Sequence, residues 1–322
     1  MKTGIAVAGT ILVDKINVIS AYPNAGELTK IIGLQKAVGG CVPNVAIDLK
    51  RMASDLTVKA VACIGNDADG DFMRATLNEN NVNCDGLRVI DETTSFTEVM
   101  SVAGGQRTFF TYPGASAAFG DEHVDLDALN VKMLHLGYFL LLDKIDNGDG
   151  LKLLKRAHEQ GVKTSIDLVS ENSDRYQQVL PCLAYTDNLI VNEVEAGAMT
   201  GMKPTKENLL EIAKTLKEYG VKERVIIHMP DVGVCYSGDG FTVVPSYEIP
   251  DGFIKGTTGA GDAFCAGALL GIYRGDSDEE ILTFASAAAV AALSQADAVS
   301  GMRSEEEIKK LCKNFNRRKI CL

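Results

Sequence analysis

The chain has 322 residues, 46% of them hydrophobic and 23% charged, with a formal net charge of −11 at pH 7. That length and balance suit one large globular domain with a sizeable core and exclude an extended disordered chain. The acidic surplus disfavours nucleic acid and anionic membrane as partners, while leaving room for a local pocket that holds a phosphate.

Short apolar runs alternate with amphipathic stretches, the pattern of an α/β fold whose mostly parallel sheet is covered on both faces. GIAVAG (4–9) reads as a buried first strand. DKINVIS (14–20) and ELTKII (27–32) have period-two patterning with no helix between them. PNVAIDLKRM (43–52) sets Val45, Leu49 and Met52 on one helical face, with Pro43 suited to a first turn. VKAVACI (58–64) reads as a strand. The DADGD that follows (67–71) looks like a calcium loop, but Phe72 stands at the required glycine and Asn78 at the closing glutamate, so a turn and helix cap is expected. SFTEVMSVAG (95–104) and RTFFTY (107–112) repeat the helix-free, period-two pattern. Strands follow at VKMLHLGYF (131–139), TSIDL (164–168), NLIVN (188–192) and RVIIHM (224–229), with helices at 150–160 and 206–219. VGVCYSGDGFTVVPS (232–246) reads as a hairpin at one side of the sheet, and the tail as a last helix with Arg317, Arg318 and Lys319 on a solvated face. The two helix-free regions, 12–33 and 95–112, cannot be crossover units of a parallel sheet. They are read as a small second sheet that projects from a single domain, 1–322, as a lid.

Eight cysteines, at 41, 63, 84, 182, 235, 265, 312 and 321, contain no Cys-x-x-Cys pair and lie mostly among apolar neighbours, which suits a reducing cytosol. The opening MKTGIAVAGTILVD is too brief for a secretory segment, and the apolar run 281–293 is shorter than the roughly 18 residues of a membrane span, so a cytoplasmic location is expected. The four histidines, at 123, 135, 158 and 228, show no metal-ligand spacing, and His135 reads as a satisfied core residue.

The chemistry concentrates in GTTGAGDAFCAGALLG (256–271). If a helix begins near Gly259, the amides of Gly259, Ala260 and Gly261 form an anion hole at its first turn, and Asp262 beside it can take a proton from an attacking hydroxyl. A carboxylate at a helix N-terminus is expected to be a weak base, which suffices where phosphoryl transfer is loose and the proton leaves late. The glycines alone leave a second reading open, in which they pack the helix on the sheet and Asp262 merely caps it. No Walker A lysine is present, and Phe264 replaces the third glycine of a dinucleotide loop.

Near the other end, KAVGGCVPNVAIDL (36–49) again sets paired glycines before a helix, and Asp14 follows the first strand. With GG-x-x-x-N, G-x-D-x-x-G at 65–70, N-x-x-E at 192–195 and T-x-G-A-G-D in this order, the chain resembles the ribokinase-like, or PfkB-type, carbohydrate kinases over almost its whole length. The resemblance implies a three-layer α/β/α sandwich with a small β-sheet lid that often clasps a homodimer. It implies Asp262 as catalytic base, Gly259, Ala260 and Gly261 as anion hole, and Asp14, Gly39, Gly40 and Asn44 as holders of the sugar hydroxyls. Asn192 and Glu195 would organise Mg2+, through water, and phosphate. Arg107 is open to two readings, a solvated edge charge or a substrate contact. On the nucleotide side, HMPDVG (228–233) keeps only Gly233 of the family's T-x-G-x-x-G, and Ser286 stands about where an asparagine near the adenine is common. Gly256 replaces the signature's first aspartate, so a monovalent-cation site is not carried over.

The expected activity is transfer of the γ-phosphoryl group of ATP, with Mg2+, to a hydroxyl, expected to be primary, of a small sugar. TYPGASA (111–117) lacks the second lid arginine that sugar-acid kinases of the family tend to carry, which favours a neutral, fructose-like or ribose-like substrate. The alternatives are a nucleoside kinase, with Phe109, Phe110 and Tyr112 as a base slot, and a sugar-binding regulator without catalysis.

Overall fold

The computed structural model describes residues 2–102, 107–171 and 174–320. Residues 103–104 of the expected lid strand, and Cys321, therefore lie outside the described residues.

In chain order the elements are β1 (Ile5–Gly9), β2 (Leu12–Ile19), β3 (Ile31–Gly39), α1 (Cys41–Met52), β4 (Val58–Gly65), α2 (Ala68–Glu79), β5 (Asn83–Ile90), β6 (Phe96–Val102) and β7 (Arg107–Tyr112). Two short helices, α3 (Gly114–Ala117) and α4 (Leu126–Leu129), lead to β8 (Met133–Phe139), α5 (Gly150–Glu159), β9 (Lys163–Leu168), β10 (Asn188–Asn192), α6 (Glu193–Thr200) and α7 (Leu209–Glu218). The chain closes with β11 (Arg224–His228), the hairpin β12 (Val232–Ser237) and β13 (Gly240–Pro245), then α8 (Ala260–Arg274), α9 (Asp278–Leu293) and α10 (Glu305–Cys312).

Nine strands form one sheet in the order β13-β12-β11-β10-β9-β8-β1-β4-β5, parallel throughout except for the β12-β13 hairpin at one side. Every residue of β1 is buried, as a central strand covered on both faces requires. Two apolar clusters fill the two faces. One joins β1 and β4 to α1, α8 and α9 through residues such as Val45, Leu49, Phe264 and Leu282, and the other packs β8 to β11 under α5 and α7 through Leu153, Leu154, Ile212 and Leu216. Ser277 with Glu280, and Ser304 with Glu307, start α9 and α10 with reciprocal capping boxes. Asp67 caps α2 by accepting from the Gly70 amide, so DADGD is the helix start that its residues suggested. Among the described residues no helix is long and apolar enough to cross a membrane.

The helix-free regions form a separate four-stranded sheet, β3-β2-β6-β7. Its second strand differs from expectation: it runs over Ile31–Gly39 rather than 27–32. β2 pairs antiparallel with this strand from Leu12↔Gly39 to Ile19↔Ile31, so the hairpin needs residues 33–39, whose glycines and mixed polarity hide any alternation. Edge strand β5, polar and interrupted by Gly86, gave no periodic signal. The basic tail also differs. α10 ends at Cys312, and Arg317 lies beyond it, bonded to the Pro245 carbonyl at 2.7 Å and 3.7 Å over the Tyr247 ring. Arg318 pairs with Asp231 at 2.9 Å. Stacking on Tyr247 and ion pairing with Asp231, the residues that flank the β12-β13 hairpin, replace the solvated helix face.

Candidate active site

The chain enters the large sheet at β1, builds outward to β5, then returns beside β1 with β8 and builds the other way. Ligands of open parallel sheets gather at such a switch point, beyond the carboxyl ends of the strands. Here those ends deliver Tyr138 from β8, Asp167 from β9 and Asn192 from β10, and the N-termini of α1 and α8 close the same space.

Gly259 caps the N-terminus of α8; its φ of 79° is the left-handed region, and its missing side chain admits Ala298, 2.5 Å from where a Cβ would stand. A first helical turn leaves its N–H groups without intrahelical partners. One of the three expected donors is already engaged, since the Ala260 amide donates to the Thr257 carbonyl at 3.3 Å. Gly259, Gly261 and Asp262 line a cavity of about 200 Å3 together with Tyr138, Asp167, Ser170, Asn192 and Glu195.

Asp262 is only 6% exposed. Its Oδ2 accepts from Asn44 Nδ2 at 2.8 Å and from the Tyr138 hydroxyl at 2.9 Å. Burial, seconded by the charge of Asp167, raises its pKa to about 7, while those two hydrogen bonds pull the other way. The expectation of a weak base is thus corrected: burial outweighs the helix terminus, and Asp262 binds a proton far more readily than an ordinary carboxylate.

Asn192 and Glu195 meet in a capping box at the start of α6. Glu195 Oε1 accepts from Ser170 Oγ and Asn192 Nδ2, both at 2.8 Å, and its Oε2 accepts from the Asn192 amide at 3.0 Å. Burial raises the Glu195 pKa to about 7. A second cavity, of about 440 Å3, shares Asn192, His228 and Gly261 with the first and has apolar walls including Val194, Ile254 and Val290. Ser286 lines it, and Arg318 stands at its wall. Gly233 does not. It faces Leu282 and Phe264, 3.4–3.5 Å from where its Cβ would stand.

On the small-sheet side, Gly40 caps α1 with φ 88°, and a Cβ on Gly39 would come within 2.7 Å of Asp14 Oδ2. Burial raises the Asp14 pKa to about 6. Asn44 ties this side to Asp262. Arg107 opens β7 opposite Ser101, exposed, and lines neither cavity.

Four residues here escaped the sequence reading. Tyr138 holds Asp262 from a positive φ of 60°, a strained geometry common at functional sites. Asp167 accepts from the Tyr138 amide at 2.6 Å. His228, 4.7 Å from the Phe264 ring, is kept neutral by burial, its pKa pushed down to about 4. Asp48, one helical turn beyond Asn44, is fully buried, and neither of its carboxylate oxygens has a hydrogen-bond partner among the described residues. TSIDL had marked Asp167 only as the end of a strand, and no local pattern marks the other three.

The model of the pfkB family of carbohydrate kinases matches residues 2–305. The chain belongs to this family. It is 26% identical over 314 residues to a ribokinase of Arabidopsis thaliana, covering 96% of this chain and 81% of that protein. To a 2-dehydro-3-deoxygluconokinase of Escherichia coli it is 26% identical over 268 residues, covering 77% and 84%. The structure of the Arabidopsis thaliana ribokinase complexed with ribose and ATP superposes with a TM-score of 0.82 at 24% identity, over 97% of this chain and 99% of that one. This pfkB chain is therefore a sugar kinase, a phosphotransferase, on the ribokinase-like α/β fold.

Proposed function

We propose that the chain transfers the γ-phosphoryl group of ATP to a hydroxyl of a small neutral sugar, with Asp262 as the base. The observation that carries this reading is the position of Asp262, at the first turn of α8 in the wall of the smaller cavity and gripped by Asn44 and Tyr138. ATP would lie in the larger, apolar-walled cavity with its phosphates at the α8 turn, as adenine and a helix N-terminus respectively favour. The sugar would lie toward Asp14, Gly39, Gly40 and Asn44. Its hydroxyl gives its proton to Asp262 as its oxygen bonds to the γ-phosphorus, and the bond from that phosphorus to the bridging oxygen breaks to leave ADP. The small sheet would close over both and exclude water.

Mg2+ would neutralise charge on the phosphates. The acceptors of Asn192 and Glu195 already hold local partners, so a cation that keeps its own waters suits them better than a dehydrated one. A neutral sugar is supported by the charges on the small sheet. Lys15 and Lys36 both pair with Asp69, at 2.8 and 2.7 Å, and Asp14 offers an acceptor instead of a cation. A nucleoside is less well served, because Phe109 and Phe110 are exposed and line neither cavity. The seven described cysteines are free thiols, in keeping with a cytoplasmic location.

The test is ADP release over a panel of pentoses, hexoses, sugar acids and nucleosides. Turnover on a neutral sugar is expected. Turnover confined to sugar acids or nucleosides would overturn the substrate assignment, and sugar binding without ADP release would overturn the enzymatic one.

A further inference from the structure

Beside the catalytic turn lies a cluster that phosphoryl transfer does not use. His135 on β8, Asp167 on β9 and Cys265 on α8 present an imidazole nitrogen, a carboxylate oxygen and a thiol sulfur that all lie within 4.8 Å of one another. The three residues are 0%, 7% and 2% exposed. His135 Nε2 stands 3.4 Å from Asp167 Oδ2 and 3.6 Å from Cys265 Sγ.

Those two separations suit a shared ion. With Zn–S of about 2.3 Å and Zn–N and Zn–O of about 2.0–2.1 Å, tetrahedral angles place sulfur about 3.6 Å from nitrogen and nitrogen about 3.4 Å from oxygen. The outer atoms of two ligands are also held. His135 Nδ1 bonds Ser165 Oγ at 3.0 Å, and Asp167 Oδ1 accepts the Tyr138 amide at 2.6 Å, which turns Nε2 and Oδ2 toward Cys265 Sγ, where a cation would replace the hydrogen bond between Nε2 and Sγ. Charge points the same way. Among the described residues no lysine or arginine pairs with Asp167 or Asp262, although both are buried and lie close enough to repel. A dication held by a thiolate, a carboxylate and a neutral imidazole sums to zero, the balance a low-dielectric interior tolerates. The soft sulfur and the imidazole select zinc over magnesium.

We propose that His135, Asp167 and Cys265 form a Zn2+ site whose fourth position opens into the cavity beside Asp262. Cys265 loses its proton to solvent on binding.

The test begins with Co2+, then Zn2+, titrated into the metal-free full chain without nucleotide. One equivalent of Co2+ is expected to give a sulfur-to-cobalt charge-transfer band that Zn2+ abolishes. Cys265→Ser should lose the band and at least about tenfold in Zn2+ affinity. Ser165→Ala, which keeps all three ligands but frees the outer imidazole nitrogen, should keep the band and weaken binding by about tenfold. Cys312→Ser, a thiol elsewhere in the core, should behave as the parent. Absence of the band at stoichiometric cobalt overturns the site, as does an affinity unchanged in Ser165→Ala, a result that stands even if Cys265→Ser fails to fold.

Discussion

At Asp262, burial and the neighbouring Asp167 raise the affinity for a proton while Asn44 and Tyr138 lower it, and burial wins, leaving a pKa of about 7. kcat/KM should therefore rise with pH as Asp262 ionises, with Glu195 and Asp14 titrating in the same range, and level off above about pH 7. Tyr138→Phe removes a hydrogen bond that favours the charged form, so the acid limb should move to higher pH; an unmoved or lowered limb would separate Tyr138 from the base. The same shift bears on stability. A carboxyl whose folded pKa exceeds its unfolded value favours the fold most below about pH 4, and that contribution is lost as pH rises through about 7. Asp262→Asn should accordingly stabilise the ligand-free protein by about 1–3 kcal/mol at pH 8 and by little at pH 4, read from urea midpoints.

At the scale of elements, α1 carries both a site residue and a burden. Asn44 reaches Asp262, and Asp48 one turn later lies fully buried with no hydrogen-bond partner among the described residues, its pKa driven well up by burial. Asp48→Ala should stabilise the protein by about 1–2 kcal/mol, seen as a higher denaturant midpoint. A loss of stability would mean that the carboxyl is satisfied in solution. Periodicity made α1, the buried strands and the β12-β13 hairpin legible, because each hides one face or alternates cleanly. It failed at β3, where glycines break the alternation, at edge strand β5, and at the tail, where Arg317 stacks on Tyr247 across a distance in sequence that no local pattern spans. The GAGD and GG-x-x-x-N turns were legible because glycine is demanded by local backbone geometry. Tyr138, Asp167, His228 and Asp48 were not, because only the assembled sheet brings them beside Asp262.

For the whole molecule, the small sheet presents apolar side chains with little cover. Leu34 is 75% exposed and Phe109 61%, and every residue of β7 is exposed. Apolar residues gathered on one projecting sheet are the mark of an interface, so a homodimer joined through this sheet is expected in sedimentation, and Leu34→Glu should shift it toward monomer. A parent chain that sediments only as monomer would leave the sheet a lid alone. The most direct test of the central claim compares Asp262→Asn with the parent protein for sugar-dependent ADP release at saturating ATP and sugar. A fall in kcat of about 10²–10⁴-fold, with sugar binding retained, is expected. A rate within a few-fold of the parent would contradict Asp262 as the proton acceptor and the mechanism built on it.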